Sequence, residues 1–117
     1  MRIDHKFTTL NKYVNAERTN KYIGAKIKRD ETNVAYYSLL NKPKIKTPCK
    51  LKFTWYCENR RSDADNIAFA KKFIIDGMVK AGLIPNDGMK YVIGFQDEFE
   101  ISDKAGVRIE VIEGGKQ

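Results

Sequence analysis

Cysteine and histidine are scarce in this sequence, which contains only Cys49, Cys57 and His5 of these two types. Three such residues within one chain are too few for a four-coordinate zinc site. If both cysteines lie on one strand, they stand about 26 Å apart at about 3.3 Å per residue, which is too far for a disulfide. We expect Cys57 in the core, Cys49 without a special role and His5 at the surface, in a protein of the reducing cytoplasm.

Long apolar segments and several cofactor motifs are also missing. No run approaches the roughly 18 apolar residues of a membrane span, and the N-terminal residues lack the apolar centre of a signal peptide. The chain has no glycine-rich loop of the kind that holds nucleotide phosphates, and no serine, histidine and aspartate set suited to a catalytic triad. We therefore expect a cytoplasmic protein with no membrane contact and no small-molecule cofactor.

Acidic residues are outnumbered by basic ones. The 117-residue chain has 22 lysines and arginines against 15 aspartates and glutamates, for a net charge of +7. This surplus suggests a polyanionic partner such as nucleic acid, although many small proteins are basic for solubility alone. The length suits one domain with a single core, spanning residues 1–117.

Period-2 alternation of apolar and polar residues predicts the strands. The clearest is Leu51 to Cys57, where Trp55 is expected in the core. A short strand is predicted at 3–7, and the two last strands at 89–95 and 106–112. These last two are expected to form a hairpin or a pair, joined by an acidic, solvated connection at 96–105, and the chain is expected to fray from Gly114 onward.

A long helical segment is predicted from about Ala16 to Leu40, with Asn15 as its N-cap. Four apolar residues fall near one face of it: Ile23, Ile27, Val34 and Tyr37. The rest of its surface is strongly basic. Gly24 and the polar stretch 30–33 are the points at which this helix could be interrupted.

A second helix is predicted from about Asn66 to Ala81. Its apolar stripe consists of Ile67, Ala70, Ile74, Gly77, Met78 and Ala81. Gly82 suits the position just after the helix, and Pro85 prevents the helix from resuming. The resulting order β-α-β-α-β-β predicts an α+β fold, in which two main helices pack on a mixed sheet of about four strands.

An acidic motif stands directly before the second helix. Asp63 and Asp65 follow Arg60 and Arg61, and Asp87 follows the helix. In an extended loop the side chains of residues i and i+2 point to the same side. The two carboxylates can therefore converge on one hard cation, for which oxygen ligands are suited. A metal ion there could meet a phosphate attracted by the surrounding lysines and arginines.

The same residues have a simpler interpretation as helix caps. Aspartate, serine and asparagine are the residues preferred at the start of a helix, and Ser62-x-x-Asp65 resembles a capping box with aspartate in place of glutamate. Acidic side chains in a first turn also complement the helix dipole. The motif Asp-x-Asp-Asn alone does not distinguish a metal site from a cap.

The flanking sequence adds a family resemblance. The motif R-R-x-D-x-D-N-I at 60–67 is followed by K-F-I-I-D-G-M at 72–78, A-G-L-I at 81–84 and Asp87. This composite resembles the RusA-type Holliday junction endonucleases of bacteria and their phages, and residues 10–18 are similar to the opening of the phage branch. The resemblance extends over residues 8–112.

The resemblance implies a homodimeric, Mg²⁺-dependent nuclease that cuts DNA phosphodiester bonds at four-way junctions in recombination and repair, with Mn²⁺ able to stand in for Mg²⁺. Matched position by position, Asp63, Asp65 and Asp87 take the places of the metal-binding acids. Lys72 takes the place of the catalytic lysine through its K-x-x-x-D spacing.

Two departures from the family pattern affect this assignment. Lys72 lies seven residues after Asp65, where many members have four. The difference is about one helical turn, so Lys72 keeps the same face and Lys71 is the alternative. Asn86 stands where many relatives carry a further aspartate, so the loop before Asp87 offers one acid instead of two.

Lysines and arginines around the motif are candidate DNA contacts, because cations neutralise backbone phosphates. The candidates are Arg60, Arg61, Lys42, Lys44, Lys46, Arg18 and Lys21. The proline-flanked lysines at 42–48 are equally compatible with a solvated connector. Two other functions stay open: a catalytically silent DNA- or RNA-binding module with structural aspartates, and a nuclease with the same site that cuts flaps, forks or single strands.

The predicted geometry raises the question of how the acids meet. A straight helix from Asn66 to Ala81 spans about 24 Å, with Asp63 and Asp65 at one end and Asp87 beyond the other. A two-fold dimer that pairs this helix antiparallel with its mate would bring Asp87 of one subunit to the other two acids of its partner. A site shared between subunits is therefore one hypothesis, and a site built within one chain is the alternative.

Overall fold

A computed structural model describes residues 1–114 of the chain. Its elements in chain order are β1 (Arg2–Ile3), α1 (Leu10–Thr19), α2 (Lys21–Leu39), β2 (Cys49–Cys57), α3 (Ala64–Ala68), α4 (Lys71–Lys80), β3 (Val92–Ile101) and β4 (Gly106–Gly114). The strands form one mixed sheet in the order β1-β4-β2-β3. The predicted α+β class and four-stranded sheet are confirmed. Within residues 1–114, no helix combines the length and the apolar character needed to cross a membrane.

β2 lies inside the sheet because its alternation provides one fully apolar face. Leu51, Phe53 and Trp55 are buried in a single core, as the sequence predicts. Cys49 and Cys57 begin and end this strand, which confirms that both lie on one strand. Cys49 is fully buried in the core, whereas Cys57, which is predicted there, is half-buried and packs against it.

The predicted terminal hairpin is wrong. β3 pairs parallel to β2 and β4 pairs antiparallel to it, so β2 separates the two strands. Residues 96–101 continue β3 along the whole of β2 and do not form a solvated connection. β1 ends at Ile3 and not at Phe7, although Phe7 is buried. β4 reaches Gly114, and the rest of the segment predicted to fray lies outside the described residues.

The long first helix is divided at Asn20, and neither Gly24 nor residues 30–33 interrupt it. Asn20 has extended backbone angles, φ −161° and ψ 117°, which end α1. Its backbone N–H donates to Ala16 O at 2.9 Å, and its side chain accepts from Tyr22 N at 2.8 Å. One asparagine thus closes α1 and caps α2.

The inward face of α2 also differs from the prediction. Ile23 and Tyr37 are exposed, whereas Glu31 is buried. The Glu31 carboxylate accepts a hydrogen bond from Thr8 N at 2.7 Å and lies 2.9 Å from His5 Nε2. Glu31 therefore ties the N-terminal segment to α2, and His5 is half-buried instead of lying free at the surface.

The second predicted helix is also two helices. Between α3 and α4 the backbone tightens to i→i−3 hydrogen bonds, from Ala70 N to Ile67 O at 3.2 Å and from Phe73 N to Ala70 O at 3.0 Å. The predicted stripe is confirmed at its centre, where Ala70, Ile74, Gly77 and Met78 are buried.

Gly82 ends α4 as predicted. It has a positive φ of 79°, which glycine adopts without steric penalty. Gly82 N donates to Val79 O at 3.0 Å and Leu83 N donates to Met78 O at 2.9 Å. This pair of bonds is the Schellman motif, and the buried Leu83 and Met78 belong to the same core.

Gly77 occupies a point of close contact between α4 and α2. A β-carbon there would lie 2.5 Å from Ala35 Cβ and 2.9 Å from Tyr36 N, both shorter than any normal contact. We expect Gly77→Val to lower the free energy of unfolding by about 3 kcal/mol or more, since the two helices would have to separate. Urea unfolding measures this change.

Gly88 is the matched control for that substitution. A β-carbon at Gly88 would meet only Asn86 Oδ1, at 4.0 Å. Gly88→Ala should therefore change stability by no more than about 0.5 kcal/mol. An unchanged unfolding midpoint for Gly77→Val would contradict the close packing of α2 on α4.

Candidate metal site and basic surface

The loop after β2 ends at Asp63, the N-cap residue of α3, and Asp65 lies in the first turn of that helix. Both side chains are exposed, but the extended loop predicted to align them does not include Asp65. Asp63 has an extended backbone, φ −69° and ψ 154°, and precedes the first residue of α3, but its side chain makes no capping hydrogen bond. Among residues 1–114, neither carboxylate has a hydrogen-bond or ion-pair partner. The capping interpretation therefore locates the helix start, but it does not account for the two side chains.

Asn66, the last residue of the Asp-x-Asp-Asn motif, connects this loop to α1. Its side-chain oxygen accepts a hydrogen bond from Asn11 N at 2.9 Å. Asn11 is the second residue of α1, so Asn66 satisfies one of the unpaired N–H groups at that helix start. This hydrogen bond therefore holds the start of α1 beside the Asp-x-Asp-Asn motif.

Asp87 lies beside Lys72. The two side chains form an ion pair at 3.3 Å, and Lys72 also pairs with Asp76 at 3.1 Å, one turn along α4. Asn86 Oδ1 accepts hydrogen bonds from Asp87 N at 2.7 Å and from Gly88 N at 3.3 Å. Asn86 thus shapes the turn that carries Asp87 back to the first turn of α4.

The ion pairs keep Lys72 charged. The hydrogen bond from Lys72 to Asp76 is the largest cause of a raised pKa for the lysine, and Asp87 adds to it. Because the pKa moves up from its ordinary value near 10.5, Lys72 is an ammonium throughout the neutral range. Its side chain is 53% exposed, so it can contact a phosphate in solution.

Lys71, the alternative lysine, is held in place. It forms an ion pair with Asp97 of β3, and its side chain is only 18% exposed. Asp97 also accepts a hydrogen bond from Trp55 Nε1 at 2.9 Å. The Lys71 ammonium lies 4.6 Å from the centre of the Phe95 ring, close enough for a cation–π contact. These contacts fix Lys71 between α4 and the sheet.

Asp97 is the residue that sequence reasoning missed, because the acidic stretch around it was interpreted as a connection. The signal that could have found it is the period-2 alternation of Phe95, Asp97 and Phe99. All three face the helix side of the sheet, opposite Leu51, Phe53 and Trp55 in the parallel register. An aspartate in such a row needs a buried partner, and the indole of Trp55 is one.

An open groove of about 310 Å³ lies over α4 and the edge of β3. It is lined by Ala68, Phe69, Lys71, Lys72, Ile75, Asp87 and Phe95. Asp63 and Asp65 do not line it. In the part of the chain that the structure describes, no group of three or more histidine, cysteine, aspartate or glutamate side chains is placed to hold a metal ion. The three predicted acids are therefore not gathered within one chain.

The cations predicted to contact DNA are all at the surface. Lys42, Lys44, Lys46, Arg60, Arg61, Arg18 and Lys21 are exposed. None of them forms an ion pair with a residue in the range 1–114. They therefore remain available for phosphates. Nothing in the fold separates this role from that of a solvated connector at 42–48.

No protein-family model matches this chain. The search of curated proteins finds no significant match either. The RusA-type resemblance therefore rests on the residues quoted above, and it remains an interpretation of those residues.

The side chains of Asp63 and Asp65 fit a hard divalent cation. Both are exposed and without partners within the described residues, so neither must break a contact to bind an ion. Mg²⁺ keeps several waters and takes only one or two protein carboxylates together with substrate phosphate oxygens. Asp87 would first have to release Lys72, or reach the ion from a second subunit.

Proposed function

We propose that this chain is a divalent-metal-dependent endonuclease that cuts DNA at four-way junctions during recombination and repair. The supporting observation is the pair of unpartnered carboxylates within a basic surface. Of the six other aspartates, only Asp103 is unpaired within the described residues, and five pair with a lysine or an arginine: Asp4, Asp30, Asp76, Asp87 and Asp97. The protein has a net charge of +7, yet Asp63 and Asp65 pair with no lysine or arginine among residues 1–114. They are therefore suited to binding a metal cation.

Each part of the site has a role in this proposal. Asp63 and Asp65 would hold Mg²⁺, which when bound supplies a water of lowered pKa and offsets negative charge on the phosphate. Arg60 and Arg61, directly before the acids, would hold a DNA phosphate. Lys72, charged at neutral pH, would donate hydrogen bonds to a phosphate oxygen as charge builds up on it.

The proposal extends to assembly and location. A homodimer suits it, since two sites related by a two-fold axis match the paired cuts of a symmetric junction. It also assigns the protein to the cytoplasm of a bacterium, encoded by the cell or by a phage. Mn²⁺ should support the reaction in place of Mg²⁺, because both accept oxygen ligands.

A cleavage assay tests the proposal. A synthetic four-way junction and a linear duplex of the same sequence are incubated with the protein in Mg²⁺ or in EDTA. We expect cleavage of the junction in Mg²⁺ alone, with little cleavage of the duplex. Faster cutting of flaps, forks or single strands would assign the same site to another substrate. Tight binding without cleavage in Mg²⁺ would identify a silent binding module.

The two neighbouring lysines should respond differently to substitution. Lys72→Met should lower the cleavage rate by about 10²–10³, the usual effect of removing one electrostatic donor, without changing stability. Lys71→Met leaves Asp97 without its ion-pair partner, so it should lower stability by about 1–3 kcal/mol and have little effect on the rate of the folded protein. Single-turnover cleavage and urea unfolding measure both effects. If Lys71→Met keeps normal stability but loses cleavage, the catalytic role belongs to Lys71.

A further inference from the structure

The corner between α1 and α2 carries an aromatic side chain without packing. Tyr22 is the second residue of α2, and it is 74% exposed. Within residues 1–114 its ring stacks on no other ring, and the Lys21 ammonium lies 5.6 Å from its centre. A single exposed aromatic residue is ordinary on a protein surface. What distinguishes Tyr22 is how firmly its backbone is held and which charges surround it.

The backbone of Tyr22 is fixed by the corner itself. Asn20 accepts a hydrogen bond from Tyr22 N through its side chain at 2.8 Å and another from Ile23 N through its carbonyl at 3.0 Å. Gly24 brings the two helices into contact, since a β-carbon there would lie 2.5 Å from Glu17 Cγ. The backbone that carries the ring is therefore fixed in place, so it loses no conformational entropy when a ligand binds.

The surface around Tyr22 is cationic. Three exposed cations towards this corner have no ion-pair partner in the described part of the chain: Arg18, Lys21 and Lys28. Lys26 and Arg29, by contrast, pair with Asp30. α1 has no buried residue, so much of its surface is open to a partner. The charge of this corner complements a phosphate backbone.

The corner is connected to the candidate metal site by α1. The helix starts beside Asn66, through the hydrogen bond from Asn11 N at 2.9 Å, and its ten residues span about 15 Å. One DNA strand advances about 3.4 Å per nucleotide. A strand that follows α1 would therefore reach the Tyr22 corner about four or five nucleotides from the phosphate at the acids.

We propose that Tyr22 stacks on an exposed base of branched DNA, while Lys21 and Arg18 contact the flanking phosphates. The inference rests on the proposed function for its ligand. Stacking on an aromatic side chain needs a base with a free face, which a branch point offers and the interior of a linear duplex does not. Losing such a stack weakens binding by about 5- to 150-fold.

Binding of the full-length protein to a four-way junction tests this proposal. The junction carries a fluorescent base analogue near the branch, and EDTA prevents cleavage. We expect Tyr22→Ala to weaken junction affinity by about 5- to 150-fold and to abolish the change in fluorescence on binding. Its salt dependence should match that of the wild type, because no phosphate contact is lost. Tyr22→Phe keeps the ring and should bind as the wild type does.

Tyr37 is the matched control, because it lies on the same helix, is 70% exposed and packs on Tyr36. Tyr37→Ala should leave junction binding unchanged. The stacking proposal is overturned if Tyr22→Ala binds like the wild type, if Tyr22→Phe loses as much as Tyr22→Ala, or if binding of linear duplex falls equally. A wild type that binds no DNA overturns the proposed function as well. If the wild type cleaves the junction but Tyr22→Ala binds it equally well, only the stacking proposal is overturned.

Discussion

Replacing Asp65 by asparagine should abolish Mg²⁺-dependent cleavage of a four-way junction while leaving folding and junction binding intact. Asp65 is exposed in the first turn of α3 and has no partner among residues 1–114. The substitution keeps the shape of the side chain and removes one charge. Its effect on the short α3 helix should be at most about 1 kcal/mol, the usual contribution of an acid near a helix start.

The effect on cleavage should be far larger. One electrostatic group typically contributes about 10²–10³ to the rate, and under the proposed function Asp65 is also a ligand of the metal ion. We therefore expect a decrease of at least about 10³-fold. Asp63→Asn should behave in the same way, because the proposal assigns both carboxylates to the same ion.

Asp103→Asn is the matched control for the charge. Asp103 is also an exposed aspartate without a partner in the described residues, and it lies between β3 and β4. Its substitution changes the net charge equally and should leave cleavage unchanged. Cleavage rate, junction affinity in EDTA and urea unfolding are measured for each variant. An Asp65→Asn protein that cuts normally, or one that unfolds, would refute the assignment of Asp65 to the metal.

Local periodicity explains which parts of the fold could be predicted. The alternation in β2 and the stripe on α4 are repeated burial patterns, so they appear in the sequence directly. β3 was misjudged because an edge strand buries little: Phe95 and Phe99 are exposed, and its acidic residues resemble those of a loop. The break at Asn20 was missed because it depends on a cap formed by one side chain, which no periodicity records.

In the candidate site, too, local features could be predicted from the sequence and long-range contacts could not. Asp63 and Asp65 could be located because they stand at a helix start, which is a local feature. The contact of Asp97 with Trp55 and Lys71 joins residues 42 and 26 positions apart, so it depends on the parallel pairing of β3 with β2. That pairing is set by the packing of the whole sheet.

The distance argument for a shared site has to be revised. The straight helix of about 24 Å is wrong, because α3 and α4 are separate and Asp87 folds back to Lys72 in the first turn of α4. Antiparallel pairing of this helix with its mate is also disfavoured, since the apolar face of α4 packs in the core of its own chain. The three acids nevertheless do not form one group in the described chain, so a contribution from a second subunit is still expected.

Mixing two inactive variants should therefore restore activity. Asp65→Asn and Asp87→Asn subunits, each inactive alone, are unfolded together in equal amounts and refolded. If Asp87 of one subunit completes the site of the other, each mixed dimer has one site with both substitutions and one with neither. Half of the dimers are mixed, so about one site in four should be intact. Because each active dimer has a single working site, it should nick one strand of the junction.

The control for this experiment is the same refolding with a single variant. Asp65→Asn refolded with itself should stay inactive under either arrangement, which excludes recovery caused by refolding. If every site is built within one chain, the mixed dimers carry one substitution in each site and no nicking returns. Different affinity tags on the two variants establish that mixed dimers have formed. Mixed dimers without nicking would show that Asp87 acts within its own subunit, where release from Lys72 would be the step that brings it to the metal.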